Sequence, residues 1–539
     1  MPIPPWPKRF EMTVNTHASA IGRAAPSPIC YFGAMSSVRH NLWLRASLGI
    51  LCTLGFGNCG GAPEPPIQRP NLLFISIDTL RADALGTVAA GLSNVKENPT
   101  PFLDEFMLQC VNFEQAWSHT PKTAPSHMTM FTGLPPRVHG IGNQRSSGNP
   151  TLGLEARTLA EVLQSVGYRT GAVTSGGNVK GYLGFERGFE IYDEKPKQLP
   201  AKLADARKWL ASVAGAAAGV EQADSASEQE PWFFFFHTYA VHDPYLPPAK
   251  YRKRYTEPSY AGDIIGDPLE LRAAIYENGE DLAEWASSHA KIEANFWERV
   301  DQDDPADLAH LQNLYTAGVA GMDRELRLFI EWMEESGLLE NTLIVLTSDH
   351  GEEFGEHGMT RHHQLWDETL HVPLFVRLPG AAHAGETISA PVRHMDLLPS
   401  ILEMMEVPDP GTILGESWAP WIADPDTIDP SRVLLGEHRY SLDDPLNLWS
   451  LRAEGSLLIS LHDSETPLYF PNSAASKIGT NGAIVPLEGS EEAAKRDRLL
   501  DAWRREIGRF QAAGARFSSG AGAELDDKTR AELEALGYL

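Results

Sequence analysis

The sequence predicts an α/β fold: a large, mostly parallel sheet sandwiched by helices, followed by a small C-terminal α+β subdomain. Two observations support this fold class. Apolar runs of strand length alternate with amphipathic stretches of helical periodicity, an order that produces parallel sheets covered on both faces. Beyond residue 430 the pattern changes to short β-type runs and one long helix. At 539 residues, the chain is also too long for one compact core.

Three of the apolar runs end in residues that can carry chemistry. Asp78 closes the first run, and His237 lies at the end of an aromatic run. The pair Asp349-His350 follows a third run, which comes after a long amphipathic helix. In parallel sheets, ligands bind at the carboxyl ends of the strands. We therefore expect these four side chains to converge at one edge of the sheet.

The same pattern divides the chain into three segments. Residues 1–61 combine an N-terminal extension with an export segment, residues 62–430 form the large domain, and residues 431–539 form the small subdomain. Within the large domain, residues 211–230 are rich in Ala, Ser and Glu, and residues 261–310 are acidic with helical spacing. We interpret both stretches as insertions, and the second as a cap over the site.

The N-terminal segment has the features of a bacterial export signal. Arg39 and Arg45 precede an uncharged stretch, residues 46–58, which has the length of a signal-peptide core and is too short to span a bilayer. Cys59 follows directly and resembles the cysteine of a bacterial lipoprotein signal. We expect an exported protein, either periplasmic or anchored to the membrane by lipid on Cys59. A buried apolar helix is the alternative interpretation.

The charge of the chain bears on its partners. The formal net charge is −27, and Lys and Arg do not form the clusters that phosphate backbones require. We therefore expect no nucleic-acid partner. The sequence does not indicate the oligomeric state.

The stretch KTAPSHMTMFTG, residues 122–133, places two hydroxyls and an imidazole around one proline, just before a predicted helix. A threonine hydroxyl is a weak nucleophile, but a bound cation would lower its pKa. The free N–H groups at the start of the helix would also attract an anion. We predict Thr123 as nucleophile and metal ligand, Ser126 as helix cap and His127 as neighbour of an oxyanion. An ordinary capped helix start is the structural alternative.

The metal itself is suggested by the adjacent Asp349 and His350, which supply one oxygen and one nitrogen ligand. Such a pair suits Zn or Mn better than an all-oxygen Ca site, while Ca and Mg remain alternatives. Asp78 would complete the site with Thr123. A helix cap at Asp78 and a capped turn at Asp349-His350 are the structural alternatives.

Four histidines lie in loops that follow the predicted strands. His237 and His242 flank the end of the aromatic run, and His362-His363 follow the Asp-His strand. A single loop histidine is usually only polar surface. Four of them near strand ends that already hold two acids indicate a binding site.

Taken in order, these motifs resemble the sulfatase family of the alkaline phosphatase superfamily. The resemblance runs from about Pro70 to Trp421, and the segments TPLYF and DDKTRAELEALGYL resemble the small C-terminal subdomain of that family. It implies an alkaline phosphatase/sulfatase-like fold, with residues 62–430 as the catalytic domain of a metal-dependent hydrolase of sulfate or phosphate esters. The metal ligands that it implies are Asp78, Asp349 and His350.

The resemblance also implies roles for the four histidines. His237 or His242 would protonate or orient the ester oxygen. His362 lies about where these enzymes place a lysine on the substrate oxygens, with His363 as the adjacent choice.

The chain departs from the family pattern at three positions. Thr123 occupies the position of the Cys or Ser that maturation converts to formylglycine, an aldehyde that threonine cannot give. His127 stands in place of an arginine, and Thr79 in place of a second metal-binding acid. We therefore expect no formylglycine. The pattern instead resembles threonine-nucleophile relatives, which are phosphodiesterases and phosphoethanolamine transferases.

The resulting hypothesis is hydrolysis of phosphomono- or diesters by a metal-activated Thr123. The substrate would be a small molecule or a glycan or lipid ester. The alternatives are a non-catalytic binding protein with a sulfatase fold, and a transferase for a phospho-headgroup. The natural substrate and the number of metal ions stay open.

Overall fold

The computed structural model describes residues 69–86, 97–142, 151–215, 230–275, 289–429, 432–438, 448–460, 467–470, 490–514 and 516–517. All of them belong to one compact unit, which spans residues 67–539. The predicted export segment with Cys59 and the C-terminal motif DDKTRAELEALGYL lie outside the described residues, so these assignments stay predictions. Among the described residues, no helix combines the length and apolar composition needed to cross a bilayer.

The strands of the described residues are mostly short and fall into four sheets. Their bounds are β1 Asn71–Ile77, β2 Val111–Phe113, β3 Ala116–Trp117, β4 Arg169–Val173, β5 Ile191–Asp193, β6 Trp232–Thr238, β7 Thr342–Thr347, β8 Glu353–Phe354, β9 Thr360–Arg361, β10 His371–Val372, β11 Leu374–Arg377, β12 Thr387–Ile388, β13 Val392–Arg393, β14 Leu434–His438, β15 Leu448–Ala453, β16 Ser456–Ser460 and β17 Leu468–Phe470.

Helices surround the strands. Their bounds are α1 Pro101–Met107, α2 Thr123–Thr132, α3 Pro136–His139, α4 Leu159–Ser165, α5 Leu199–Val213, α6 Ala249–Tyr255, α7 Pro268–Ile275, α8 His289–Trp297, α9 Pro305–Glu335, α10 Asp367–Leu370, α11 Leu397–Met404, α12 Ala419–Ala423 and α13 Ser490–Gly514. Single turns of 3₁₀ helix lie at Ala82–Ala84, Gly181–Leu183, Pro379–Ala381, His394–Asp396 and Pro425–Thr427.

Eight strands form the central sheet, in the order β12-β2-β11-β7-β1-β6-β4-β5. Neighbouring strands are parallel except at β11, which is antiparallel to both β7 and β2. Strand β1 lies between β6 and β7, with Ser76 opposite both His237 and Thr347. The carboxyl ends of these three strands therefore lie side by side, which brings Asp78 and Asp349 to the edge near His237, the last residue but one of β6.

The core has two layers, one on each face of this sheet. Along β1, Leu72 and Phe74 contact the cluster under α2, α4 and α11, and Leu73 and Ile75 contact the cluster under α1, α5 and α9. Alternate side chains of a strand point to opposite faces, so a strand with helices on both sides must be apolar throughout. The predicted α/β fold class is confirmed.

The C-terminal part forms a second, smaller sheet. Strands β14, β15, β16 and β17 pair antiparallel in chain order, and the long helix α13 follows. Leu451 and Leu458 of this sheet and Phe510 of α13 belong to the same buried cluster as α2. The small sheet thus shares its core with the large one.

Of the predicted insertions, residues 216–229 lie outside the described part, while residues 261–310 supply α7, α8 and the start of α9.

Candidate active site

The carboxyl edge of the sheet holds a buried cluster of metal-ligand type. The side chains of Asp78, Asp349 and His350 place one donor atom each within 4.8 Å of one another. All three residues are fully buried, and Asp78 Oδ1, Asp349 Oδ2 and His350 Nε2 have no hydrogen-bond partner. Burying polar atoms without partners is costly. A divalent cation would satisfy all three atoms, so the residues present fit the predicted metal.

Burial and neighbouring charges shift the pKa of each group in the cluster. Burial, followed by the facing Asp349 carboxylate, raises the pKa of Asp78 well above its usual range. Burial would raise the pKa of Asp349 as well, but the imidazoles of His350 and His127 lower it. Burial lowers the pKa of His350 to about 4, which keeps the imidazole neutral, the form that binds metals.

Thr79, next to Asp78, has an unusual backbone. Its φ is 57°, a left-handed conformation that β-branched residues seldom adopt. The Thr79 amide donates to Asp349 Oδ1 at 3.2 Å, and the Tyr315 hydroxyl donates to the Thr79 carbonyl at 2.9 Å. Its own hydroxyl is buried without a partner. The tight turn after β1 therefore aims a backbone N–H, rather than a second acid, at Asp349.

Helix α2 begins at Thr123, with Lys122 as N-cap and no side-chain cap. The prediction that Ser126 caps this helix is wrong, because Ser126 is its fourth residue. The Ser126 hydroxyl instead donates to the backbone carbonyl of Asp349 at 2.7 Å. Since its only proton is used there, the hydroxyl accepts from His394 Nδ1, 3.0 Å away. Ser126 therefore fixes the first turn of α2 to the end of β7.

His127 makes a second link between α2 and the cluster. Its Nδ1 lies 2.9 Å from the Thr123 carbonyl and 3.6 Å from Asp349 Oδ2, and its Nε2 lies 2.9 Å from Ser76 Oγ. Burial lowers the pKa of His127, so the ring is neutral. With both nitrogens engaged by the protein, His127 orients Thr123 and Asp349. The predicted position of His127 beside an oxyanion stays a prediction.

His237 also lies beneath the site. The ring is fully buried, and its Nε2 is 3.2 Å from Asp78 Oδ2. Burial lowers the pKa of His237 well below its usual range. Of the two histidines proposed to meet the ester oxygen, His237 is thus placed to orient Asp78.

His242 and His362 stand at the mouth of the site. The side chains are 19% and 12% exposed, and the ring centroids are 5.4 Å apart. His242 Nε2 lies 3.8 Å from Asp78 Oδ1, and the ring of His362 lies 4.6 Å from that of His350. The structure thus brings both histidines next to the cluster. His363 is farther round the rim, and its Nδ1 lies 3.3 Å from Lys122 Nζ.

Comparisons with known proteins show the family of the chain. Residues 70–407 match the sulfatase family. The chain belongs to the sulfatase family. It is similar to an ulvan-active sulfatase of Formosa agariphila, with 28% identity over an alignment that covers 66% of each chain. The large parallel sheet and the family match together show a sulfatase-family hydrolase.

Two solved structures share the fold of this sulfatase-family chain. One is a protein solved in complex with its substrate, D-glucosamine-2-N,6-O-disulfate. The match has a TM-score of 0.62 and 18% sequence identity, and it covers 82% of this chain and 98% of that chain. The other is the phosphonate monoester hydrolase of Agrobacterium radiobacter, with a TM-score of 0.58 and 21% identity, covering 83% of this chain and 96% of that chain.

Sequence reasoning missed two lysines in this sulfatase-family site. Lys122 lies close enough to His350 and His362 that its charge helps to lower the pKa of both rings, after the larger effect of burial. Lys202 of α5 is buried below the site, hydrogen-bonded to Ser175, and burial lowers its pKa to about 7. Only the position of Lys122, directly before Thr123, was a usable signal in the sequence.

Helix α8, from the acidic stretch, contacts the rim of the site. The Trp297 indole N–H donates to Asp243 Oδ2 at 2.6 Å. Arg361 stacks on the Trp297 ring, 4.3 Å from its centroid, and pairs with Glu293 of the same helix at 2.9 Å. These contacts tie the loop after β6 to α8 and to β9.

Proposed function

We propose that this sulfatase-family hydrolase cleaves phosphate mono- or diesters with Thr123 as nucleophile. The observation that carries the proposal is the position of Thr123. It opens α2, whose first turn is bound to Asp349 through Ser126 and His127. The nucleophile is thereby joined to a cluster whose buried donor atoms lack partners.

A divalent cation at Asp78, Asp349 and His350, with Thr123 as a further ligand, would lower the pKa of the threonine hydroxyl and offset charge on the ester. Mixed oxygen and nitrogen donors favour Zn or Mn. His237 orients Asp78, and His127 orients Asp349 and Thr123, through the contacts described above. Both rings are neutral and buried, which keeps them from competing as proton donors.

In the proposed reaction the Thr123 hydroxyl loses its proton to water and its oxygen attacks phosphorus. The P–O bond to the leaving group breaks, its electron pair stays on the leaving oxygen, and that oxygen takes a proton from water. Water then cleaves the phosphothreonine and restores the hydroxyl. Catalysis of phosphoryl transfer depends on positioning and on stabilising the equatorial oxygens. Lys122, at the start of α2, and His242 and His362, at the mouth, surround the path by which an anionic ester reaches Thr123.

The preference for phosphate over sulfate rests on the nucleophile. Threonine cannot form the aldehyde hydrate that the family resemblance assigns to sulfate ester cleavage, whereas a simple alkoxide serves phosphoryl transfer. The similar phosphonate monoester hydrolase supports an ester of phosphorus on this fold. The similar ulvan-active sulfatase makes a sulfated glycan the competing substrate.

The test is hydrolysis by the full chain, loaded in turn with Zn, Mn, Mg or Ca. The substrates are p-nitrophenyl phosphate, bis-p-nitrophenyl phosphate and p-nitrophenyl sulfate. We expect phosphoester turnover that falls at least about 1,000-fold in Thr123→Ala and is partly kept in Thr123→Ser. Acid quenching should leave a phosphate on the peptide that contains Thr123. Sulfate turnover alone, or full phosphoester turnover in Thr123→Ala, would overturn the proposal.

A further inference from the structure

We propose that a cavity between α6 and α9 is a binding site for an uncharged saccharide, separate from the active site. This α6–α9 cavity is lined by residues of α6, the loop 256–267 and the start of α7, together with Arg299 and His310. None of the residues that line it belongs to the cluster around Asp78 or to its rim. Binding of a saccharide here does not depend on the ester that Thr123 attacks and goes beyond the proposed function.

The size and lining of the α6–α9 cavity suit a small polar molecule. Its volume is about 560 Å³, and sites for small molecules typically have volumes of about 300–1,000 Å³. Among the described residues that line it, only Ile264 and Ile265 have aliphatic side chains. An apolar ligand would therefore deprive many polar groups of water without giving them partners, which is costly.

The charges at the wall of the cavity favour a ligand without net charge. Two cations and three carboxylates line it without forming ion pairs among the described residues: Lys253, Arg299, Glu257, Asp263 and Glu270. An anion would face the three carboxylates, and a cation would face the two basic groups. A hydroxyl can donate to a carboxylate and accept from an ammonium or guanidinium group. A ligand rich in hydroxyls, such as a saccharide, therefore matches both signs of charge.

His310 is a second, independent indication of a ligand. The residue lines the cavity and is only 8% exposed. Its Nδ1 has no hydrogen-bond partner among the described residues, although buried polar atoms are rarely left without one. Burial lowers the pKa of His310 to about 4, so the ring is neutral, with one nitrogen that donates and one that accepts. A ligand hydroxyl can pair with either nitrogen.

Contacts behind the wall hold the loop 256–267 against α9. The ring of Tyr260 stacks on that of His310, with 3.7 Å between the centroids and an interplanar angle of 4°. The Tyr260 hydroxyl donates to Asp307 Oδ1 at 2.7 Å and accepts the Ile264 amide at 3.2 Å. A Cβ at Gly262 would collide with the Tyr260 hydroxyl and with Asp307. Because the wall is already fixed, a ligand would bind with little loss of side-chain freedom.

Another part of the wall is fixed where α6 meets α7. Arg252 of α6 pairs with Asp267. The Oδ1 atom of Asp267 also accepts the Leu269 and Glu270 amides, at 2.8 and 3.2 Å, and so caps α7. Arg252 and Asp267 therefore satisfy each other within the protein. The neighbouring Lys253 and the Glu270 side chain are left to contact a ligand.

Saccharide binding by the full chain is the test, and it needs no ester. Saturation-transfer NMR and calorimetry measure binding of the methyl glycosides of glucose, galactose, mannose, rhamnose and xylose. Glucuronate is the anionic comparison. We expect at least one neutral glycoside to bind with a dissociation constant of about 1 mM, which is usual for a ligand of this size, and to bind better than glucuronate.

Two variants locate the bound saccharide. His310→Phe keeps a ring against Tyr260 but removes both nitrogens, and Arg299→Ala removes one cation from the wall. Each should weaken glycoside binding at least about 10-fold. The Tm of His310→Phe should be kept or raised, because a buried atom without a partner is removed. The matched control is Arg327→Ala, at an exposed arginine of α9, which should bind the glycoside as the wild type does.

Three results would overturn the proposal. They are no binding of any of the neutral glycosides by the wild type, unchanged binding in either folded cavity variant, and tighter binding of glucuronate than of every neutral glycoside. The second result would place the saccharide elsewhere on the protein, and the third would make the ligand an anion. Failure of ester turnover in a chain that binds a glycoside at this cavity would overturn only the proposed function.

Discussion

Acid should destabilise this protein through His139, a buried histidine that contacts helix α2. Its Nδ1 accepts the Ile141 amide at 3.0 Å, and its Nε2 lies 3.2 Å from the Pro125 carbonyl of α2. A proton on Nδ1 would set one N–H against another. Burial accordingly lowers the pKa of His139 from 6.5 to about 3. Between pH 6.5 and about 3, His139 is therefore protonated in the unfolded state but not in the folded state.

The sign and size of the effect follow from this difference. Above pH 6.5 neither state binds the proton, so His139 has no effect on the pH dependence. Between pH 6.5 and about 3, only the unfolded state binds it, and the free energy of unfolding falls by about 1.4 kcal/mol per pH unit. At pH 5 the loss due to His139 is about 2 kcal/mol, and it stops growing once the pH falls below the folded pKa.

Urea unfolding of wild type and His139→Gln between pH 4 and 8 measures this slope. Glutamine loses some stability at every pH, but it cannot titrate. The slope below pH 6 should thus be smaller by about 1.4 kcal/mol per pH unit in the variant. His383→Gln, at an exposed position, controls for the loss of a surface imidazole. Equal slopes for wild type and His139→Gln would refute the reasoning.

Three further substitutions test the structure of the site. Ser126→Ala strands the Asp349 carbonyl and should lower the free energy of unfolding by about 1–3 kcal/mol, measured by urea titration; no change would mean that the first turn of α2 is held otherwise. Thr79→Gly should relieve the left-handed strain by about 1 kcal/mol, seen as a higher Tm; an unchanged or lower Tm would contradict this estimate. Trp297→Phe removes the donor to the buried Asp243 carboxylate and should lower the free energy of unfolding by about 1–3 kcal/mol, measured by urea titration; an unchanged free energy would mean that Asp243 is held by its other contacts.

The parallel strands at the centre of the fold could be predicted from the sequence, because buried parallel strands are apolar along their whole length. The runs that became β1, β6 and β7 have this property, and chemistry-bearing residues at their ends could be located before the structure was known. Strand β11 could not be placed in the same way. A four-residue apolar run carries no information on direction, and its antiparallel position between β7 and β2 depends on packing across distant segments.

Within the site, the convergence of side chains could be predicted, but their individual contacts could not. Asp78, Asp349 and His350 could be singled out as candidate ligands because of residue type and strand position, and the structure brings them together; their role as metal ligands stays a prediction. Two contacts depend on how the loops fold back onto the site. His362 pairs with Glu352 across the short β8–β9 hairpin, and Lys122 pairs with His363. No local periodicity encodes such contacts. Ser126 was assigned to the wrong partner for the same reason, since a cap is local and the Asp349 carbonyl is 223 positions away.

The motif TAPSH, residues 123–127, therefore combines two roles that the sequence alone does not distinguish. Thr123 carries the proposed chemistry, while Ser126 and His127 attach its helix to the strand end that holds the proposed cation ligands. Because both contacts end on Asp349, a displacement of that residue would reach Thr123 through one helical turn. If a cation is bound as proposed, its loss would leave Asp349 repelled by Asp78, and the same contacts would carry that displacement to Thr123. In the proposed mechanism, metal binding and the positioning of Thr123 therefore depend on the same residue, Asp349.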